Sequence, residues 1–184
     1  REDLECFDKR MQPGLIAQLE NGVNSKFVRI SYTDAIAELE KHADEFEFKP
    51  YWGADIATEH ERYLTEKIFK CPVMVFDYPK EIKSFYMKLN EDGKTVKAVD
   101  VLVPGIGELN GVSEREEDYD NLLKAIRDRG MDESIYDWYL NLRKFGTVPH
   151  SGFGMGFERL IRYVTGMENI RDVIPYPRAP KLAD

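Results

Sequence analysis

The sequence predicts an α+β domain in which helices pack around an antiparallel β-sheet. The central part of the chain, from Pro72 to Ser113, contains short apolar segments typical of strands, whereas the parts before and after it show helical spacing of apolar residues. Hydrophobic residues make up 42% of the 184 residues, which is enough for one sizeable core. No internal repeat or low-complexity linker divides the chain, so we expect a single domain.

The part of the chain before the sheet predicts helices and one short strand. Helices are expected over residues 4 to about 19, with an interruption at Pro13-Gly14, then over residues 33–43 and 58–69, and the strand over residues 28–32. Thr33 is the predicted N-cap of the second helix, whose buried stripe contains Ala35, Ile36 and Leu39. Thr58 and Glu61 have the spacing of a capping box at the start of the third.

The central strands are predicted over residues 72–77, 84–89, 95–103 and 108–113. Asp92-Gly93 favours a hairpin turn between the second and the third, because both residues accept positive φ. Ser113 and Glu116 again have capping-box spacing, which predicts a helix from Ser113 to about Arg129.

The C-terminal part begins with a predicted helix over residues 132–144. A glycine-rich strand over residues 151–156 follows and leads into a helix that Gly166 ends. Four residues form the apolar face of this last helix: Phe157, Leu160, Ile161 and Val164.

Charge and cysteine content exclude several classes of protein. The net charge is −8 with a pI near 5.1, which argues against a large polyanion-binding surface on this chain. Cys6 and Cys71 lie in unrelated contexts, so neither a disulfide framework nor a cysteine metal site is expected. No leader and no long apolar stretch is visible, and we expect a cytoplasmic protein.

The most specific stretch is Gly152-Phe-Gly-Met-Gly-Phe-Glu-Arg-Leu160. Glycines at alternate positions remove side chains from one face of a strand, so that a planar or anionic ligand can lie against the backbone. The strand then enters a helix whose N-terminus and Arg159 suit phosphate groups. Taken alone, the pattern also fits a closely packed strand and helix.

This stretch resembles motif 3 of the class II aminoacyl-tRNA synthetases, and residues 169–178 resemble the C-terminal segment of the aspartate/asparagine/lysine subgroup. The resemblance implies the antiparallel catalytic sheet of that class, with motif 3 at about residues 152–165. It also implies that Arg159 is a catalytic cation that lies over ATP. The ATP site would further contain Glu108, Gly154, Gly156, Phe157 and Glu158.

The same resemblance assigns a metal site and an amino-acid site. Asp100 and Glu108 would hold Mg²⁺ that bridges ATP phosphates, although two such carboxylates on strands are otherwise often solvated or salt-bridged. Arg115 would donate to the side chain of the amino acid, whereas its position near a helix start is also typical of a surface residue. Tyr86 and Lys83 are the other expected amino-acid-binding residues, with ordinary packing as the alternative for Tyr86.

Three further segments resemble the asparagine-specific members: residues 51–56, 59–64 and 103–108. The resemblance therefore implies asparagine as the amino acid and the tRNA for asparagine as its acceptor. Three alternatives stay open: an aspartate-specific enzyme, a tRNA-independent relative that makes asparagine, and an inactive regulatory or binding module. Val112 stands where the family pattern has glycine, and its branched side chain is expected to crowd the ligand.

The resemblance covers residues 1–184 as the C-terminal portion of a catalytic domain. Motif 1, motif 2 and the anticodon-binding domain of the family have no counterpart in this sequence. We therefore expect a piece of a longer protein, inactive when isolated, whose full-length form is a homodimer.

Overall fold

The computed structural model describes residues 1–180, which contain one five-stranded sheet in the order β1-β2-β3-β4-β5. The strands are β1 (Val28–Ser31), β2 (Val73–Pro79), β3 (Thr95–Val103), β4 (Gly107–Glu114) and β5 (Ser151–Met155). Each strand from β2 to β5 is antiparallel to its neighbour in this series, which confirms the predicted α+β class, whereas β1 is parallel to β2. The long helical crossover between β1 and β2 permits that parallel pair.

Seven α-helices accompany the sheet within residues 1–180: α1 (Glu2–Arg10), α2 (Leu15–Asn24), α3 (Tyr32–Glu40), α4 (Thr58–Tyr63), α5 (Tyr119–Asp128), α6 (Asp137–Lys144) and α7 (Phe157–Thr165). The predicted break at Pro13-Gly14 separates α1 from α2, and Gly14 has a φ of 89° that a residue with a side chain rarely adopts. None of the helices in this range has the length and apolar character needed to cross a bilayer.

The main core lies between α3 and the first three strands. Ala35, Ile36 and Leu39 are buried as predicted, and they share the core with strand residues that include Val73, Val75, Ala98 and Leu102. The predicted N-cap, however, is wrong. Ser31 caps α3 by accepting the backbone N–H of Asp34, so the helix begins before Thr33 and ends at Glu40.

Helix α4 also begins differently from the prediction. Ala57, and not Thr58, is the N-cap, and its N–H donates to Nδ1 of His60 at 3.2 Å. Nε2 of His60 lies 2.7 Å from the carbonyl oxygen of Phe48, so this histidine is buried and fully bonded. Glu61 is thereby free of any capping role, and α4 continues as a π-helix over Leu64–Ile68.

Residues 84–89 do not form the predicted strand. They make isolated bridges to the sheet, Met87 with Arg115 and Leu89 with Val96, although the turn at Asp92-Gly93 is present with Gly93 at a φ of 63°. Phe85 and Tyr86 instead join a second apolar cluster around Leu122, Ile126 and Leu140 on α5 and α6. The rings of Phe85 and Tyr86 thus pack against α5 and α6, and residues 84–89 form only isolated bridges instead of a strand of the sheet.

The predicted helix start at Ser113 is also wrong. Ser113 is a buried residue of β4, and α5 begins at Tyr119, where the Asp118 carboxylate accepts the N–H of Asn121 at 2.8 Å. Arg115 consequently follows the end of a strand. The predicted helix over residues 132–144 begins as a 3-10 turn over Glu133–Tyr136, and its α-helical part is Asp137–Lys144. The last two predictions are confirmed: β5 leads into α7, and Gly166 ends α7 with a φ of 70°.

Candidate active site

The sheet register places the predicted motif residues on one face. Asp100 of β3 is paired with Gly111 of β4, and Gly111 is paired with Gly154 of β5. Directly paired residues project their side chains to the same face of an antiparallel sheet. The two glycines therefore leave open the surface next to the Asp100 carboxylate.

A β-bulge brings Glu108 to this face. Val101 is paired with Asn110 whereas Leu102 is paired with Glu108, so Leu109 is the extra residue of β4. A regular ladder would direct Glu108 to the face opposite Asp100, because neighbouring residues of a strand alternate. With the bulge, Glu108 and Asp100 share one face.

Each carboxylate has one oxygen bound to a cation. Nζ of Lys83 lies 2.5 Å from Oδ2 of Asp100 and 3.9 Å from the centre of the Tyr78 ring. Nη1 of Arg159 lies 3.2 Å from Oε2 of Glu108 and also donates to the carbonyl oxygen of Glu108. The negative charges are thereby partly balanced before any ligand binds.

The other two carboxylate oxygens face one point above Gly111. A Cβ at Gly111 would lie 3.2 Å from Oε1 of Glu108 and 3.5 Å from Oδ1 of Asp100. Within residues 1–180, no histidine, cysteine or further acidic residue joins Asp100 and Glu108 to form a group of three possible metal ligands. Two carboxylate oxygens still fit Mg²⁺, which usually takes one or two carboxylates and fills its shell with waters and phosphates.

Val112 does not crowd this point. It is paired with Val99 and with Phe153, and its side chain therefore projects to the face opposite Asp100. Val112 still lines the same cleft, so crowding of the amino acid by this residue stays a prediction, whereas the position next to the two carboxylates is Gly111.

Arg115 lies across the glycine-rich strand. Its guanidinium carbon is 4.8 Å from the centre of the Tyr86 ring, and Nη1 donates to the Ser113 hydroxyl. A Cβ at Gly152 would lie 2.6 Å from Nη2, so any side chain there would displace the guanidinium from this position. Gly152 is therefore needed for the position of Arg115, a role that the sequence pattern did not indicate.

A cleft of about 620 Å³ brings together six of the predicted site residues: Lys83, Tyr86, Asp100, Glu108, Arg115 and Gly154. The other four lie outside it. Gly156, Phe157, Glu158 and Arg159 form the start of α7, next to the open edge of β5. Arg159 reaches back to Glu108 from there, and Phe157 is 68% exposed.

Glu61 is a site residue that sequence reasoning missed. Its Oε2 accepts the N–H of Glu108 at 3.1 Å. Burial, together with the charges of Glu108 and Asp100, raises the pKa of Glu61 to about 7, although the Glu108 N–H and Arg159 act in the opposite direction. The available signal was an acidic residue on a buried helix face, three and four residues before the buried Leu64 and Thr65.

The raised pKa of Glu61 predicts a pH-dependent stability. The folded state binds this proton more tightly than the unfolded state, so the contribution is complete below pH 4.5 and is lost as pH rises to about 7. Glu61→Gln should therefore raise the unfolding free energy of the ligand-free protein by about 1–3 kcal/mol near pH 8 and much less near pH 5. Denaturant unfolding at both pH values measures this, and an equal change at both would contradict it.

The chain is similar to known proteins in both sequence and structure. The family model for class II tRNA synthetases (D, K and N) matches residues 5–180. The chain is 68% identical over its whole length to an asparagine–tRNA ligase of Treponema denticola, of which it covers 39%, and 57% identical over its whole length to that of Photobacterium profundum, of which it covers 40%. The asparaginyl-tRNA synthetase of Pyrococcus horikoshii complexed with asparaginyl-adenylate superimposes with a TM-score of 0.84 at 42% identity, over 96% of this chain and 39% of that one.

These matches cover nearly the whole of this chain. The chain itself spans about 40% of the length of the curated relatives. A family model that matches residues 5–180 assigns the family without reference to the remaining parts of those relatives. The chain belongs to the class II tRNA synthetase family of the D, K and N group.

Proposed function

We propose that the full-length protein is an asparagine–tRNA ligase, which joins asparagine and ATP to asparaginyl-adenylate and transfers the asparaginyl group to the tRNA for asparagine. The single observation that carries the proposal is the cleft in which Asp100, Glu108 and Arg115 meet beside Arg159. Sequence identities of 68% and 57% to two asparagine–tRNA ligases, over the length of this chain, support the choice of asparagine.

Arg159 and the glycine-rich strand are the proposed ATP-binding elements. In adenylate formation a carboxylate oxygen of asparagine attacks the α-phosphorus, and the bond from that phosphorus to pyrophosphate breaks. The nucleophile is already an anion, so no protein base is required. Arg159 instead balances the charge that develops on the phosphates, while Gly154 lets the nucleotide lie against β5.

Asp100 and Glu108 are the proposed Mg²⁺ ligands, through the two oxygens that face the point above Gly111. Bound Mg²⁺ would neutralise phosphate charge and orient the pyrophosphate group. Lys83 keeps the other Asp100 oxygen occupied at 2.5 Å and so fixes the orientation of that carboxylate. Its proposed contribution to amino-acid binding is therefore indirect.

Arg115 is the proposed contact for the amino-acid side chain. Its guanidinium can donate to the side-chain carbonyl of asparagine, and the Tyr86 ring under it holds its orientation. Tyr86 thus contributes to amino-acid binding through Arg115. Aspartate would accept the same hydrogen bonds, so the choice between the two amino acids also requires groups other than Arg115.

Arg115→Lys tests this contact. A lysine keeps the charge but loses the planar pair of donors and the stacking on Tyr86, so the KM for asparagine should rise by about 10–100-fold while the KM for ATP changes little. Arg127→Lys is the matched control, because Arg127 pairs with Glu133 on the exposed surface away from the cleft. Steady-state kinetics of the full-length variants measures both constants, and equal effects of the two substitutions would reject the assignment of Arg115.

The remaining parts of the proposal concern the whole protein. The full-length form is proposed to act as a cytoplasmic homodimer, and the net charge of −8 favours a main tRNA-docking surface outside this chain. Charging of a tRNA transcript for asparagine by the full-length protein tests the proposal. Attachment of labelled asparagine supports it, whereas attachment of aspartate, or of neither amino acid, would refute it.

A further inference from the structure

The backbone of Glu108 is held on both sides of its Cα. Oε2 of Glu61 accepts the Glu108 N–H at 3.1 Å, and Nη1 of Arg159 donates to the Glu108 carbonyl oxygen. Glu108 lies between Gly107, which has a φ of 87°, and the bulged Leu109. The regular ladder of β4 is therefore interrupted immediately after the predicted metal ligand.

Gly107 is fitted to the Glu61 carboxylate. A Cβ at Gly107 would overlap Oε2 of Glu61, so the absence of a side chain there is a condition for the hydrogen bond. Glu61 is itself held firmly, because α4 is anchored by the buried His60 and packs through the buried Leu64. The orientation of Glu108 is thus linked to a helix that the hydrogen bonds of His60 hold in place.

We propose that Glu61 is a positioning residue of the nucleotide site: by accepting the backbone N–H of Glu108 it fixes the direction of the Glu108 carboxylate and the place where Arg159 binds. This inference rests on the proposed function in that it takes Mg²⁺-bound ATP as the ligand. Glu61 does not line the cleft; it binds the backbone N–H of Glu108, the residue whose carbonyl oxygen and carboxylate bind Arg159. Its loss should consequently weaken the binding of Mg²⁺-ATP and leave the contact of asparagine with Arg115 intact.

Glu66 offers a matched control for a purely structural role. It lies in the π-helical continuation of α4, and its Oε1 accepts the N–H of Gly105 at 2.9 Å. Gly105 lies in the connection between β3 and β4, shortly before Glu108. Its other partner is Arg62, at 2.8 Å. Glu66 therefore makes the same kind of hydrogen bond to a backbone N–H three residues before Glu108, without a contact to Glu108 or Arg159.

Calorimetric binding of Mg²⁺-ATP to the full-length protein and to three variants tests the inference. Glu61→Ala should weaken binding by about tenfold or more, because the hydrogen bond that fixes the backbone N–H of Glu108 is lost. Glu61→Gln keeps an acceptor oxygen and should stay within about threefold of wild type, as should Glu66→Ala. Thermal unfolding confirms that the variants are folded, and equal affinities of Glu61→Ala and Glu66→Ala would overturn the inference.

Pyrophosphate exchange separates this inference from the proposed function. Glu61→Ala should raise the KM for ATP and leave the KM for asparagine unchanged, which a general loss of structure would not produce. One outcome would separate the two: wild type binds Mg²⁺-ATP, Glu61→Ala does not, and wild type shows no exchange with asparagine. The role of Glu61 would then be supported, and only the assignment of asparagine as the amino acid would fail. Absence of Mg²⁺-ATP binding to wild type would overturn both.

Discussion

Replacing Arg159 by alanine in the full-length protein is expected to lower asparagine-dependent ATP–pyrophosphate exchange by about 10²–10³-fold, the usual effect of removing one preorganised charge-stabilising group. Arg159 lies beside Glu108 at the open end of the glycine-rich strand, where the proposed reaction develops negative charge on the phosphates. The loss should appear mainly in kcat, since this charge is greatest in the transition state.

Arg162→Ala is the control for this prediction. Arg162 lies one turn further along α7, and its Nε donates to the carbonyl oxygen of Met167 at 3.2 Å. Its removal takes the same charge from the same helix without affecting Glu108. Should Arg162→Ala and Arg159→Ala lower exchange equally, net charge and not position would explain the result.

Glu108→Gln is expected to reduce exchange by about 10²-fold or more, because a neutral amide replaces a charge at both the proposed metal ligand and the Arg159 partner. Higher Mg²⁺ concentration should restore part of the activity if weaker metal binding causes the defect. The amide has nearly the size of the carboxylate, so the β-bulge and the hydrogen bond from the Glu108 N–H to Glu61 should persist.

Glu114→Gln serves as the control on the same strand. Glu114 pairs with Lys88 at 2.9 Å and with Lys97 at 3.0 Å, away from the carboxylates. These pairs are partly exposed and contribute little stability. An activity loss of the same size in Glu114→Gln, or no rescue of Glu108→Gln by Mg²⁺, would argue against Glu108 as a metal ligand.

Sequence patterns predicted the type of most elements but placed several helix starts wrongly. Thr33, Thr58 and Ser113 all satisfied a local capping pattern, yet Ser31, Ala57 and Asp118 are the N-caps. A four-residue pattern describes only which hydrogen bonds are available. Neighbouring groups such as His60, held by a carbonyl from a distant loop, determine which of them form.

Residues 84–89 show a second limit. Their composition suits a strand, but Phe85 contacts the rings of Tyr86, Tyr136 and Tyr139, and the last two lie on segments far along the chain. Long-range packing of this kind has no local signature. The error matters for the site, because the Tyr86 ring stacks on Arg115 from this irregular segment.

The candidate site was predictable where one segment carries it and unpredictable where several meet. Arg159 and its glycines are contiguous, so resemblance to motif 3 was enough to predict them as a group. The common face of Asp100 and Glu108 depends on the bulge at Leu109, which the residue pattern does not reveal, and family resemblance supplied that pair. Glu61 comes from a third segment, and its role became visible only through its bond to Glu108.

Amino-acid-dependent ATP–pyrophosphate exchange by the full-length protein, with asparagine and aspartate compared under identical conditions, tests the central claim most directly. Arg115, Asp100, Glu108 and Arg159 are proposed to form one wall of an ATP and asparagine site. The account predicts rapid exchange with asparagine and little with aspartate. Exchange that is as fast or faster with aspartate, or that occurs with neither amino acid, would contradict it.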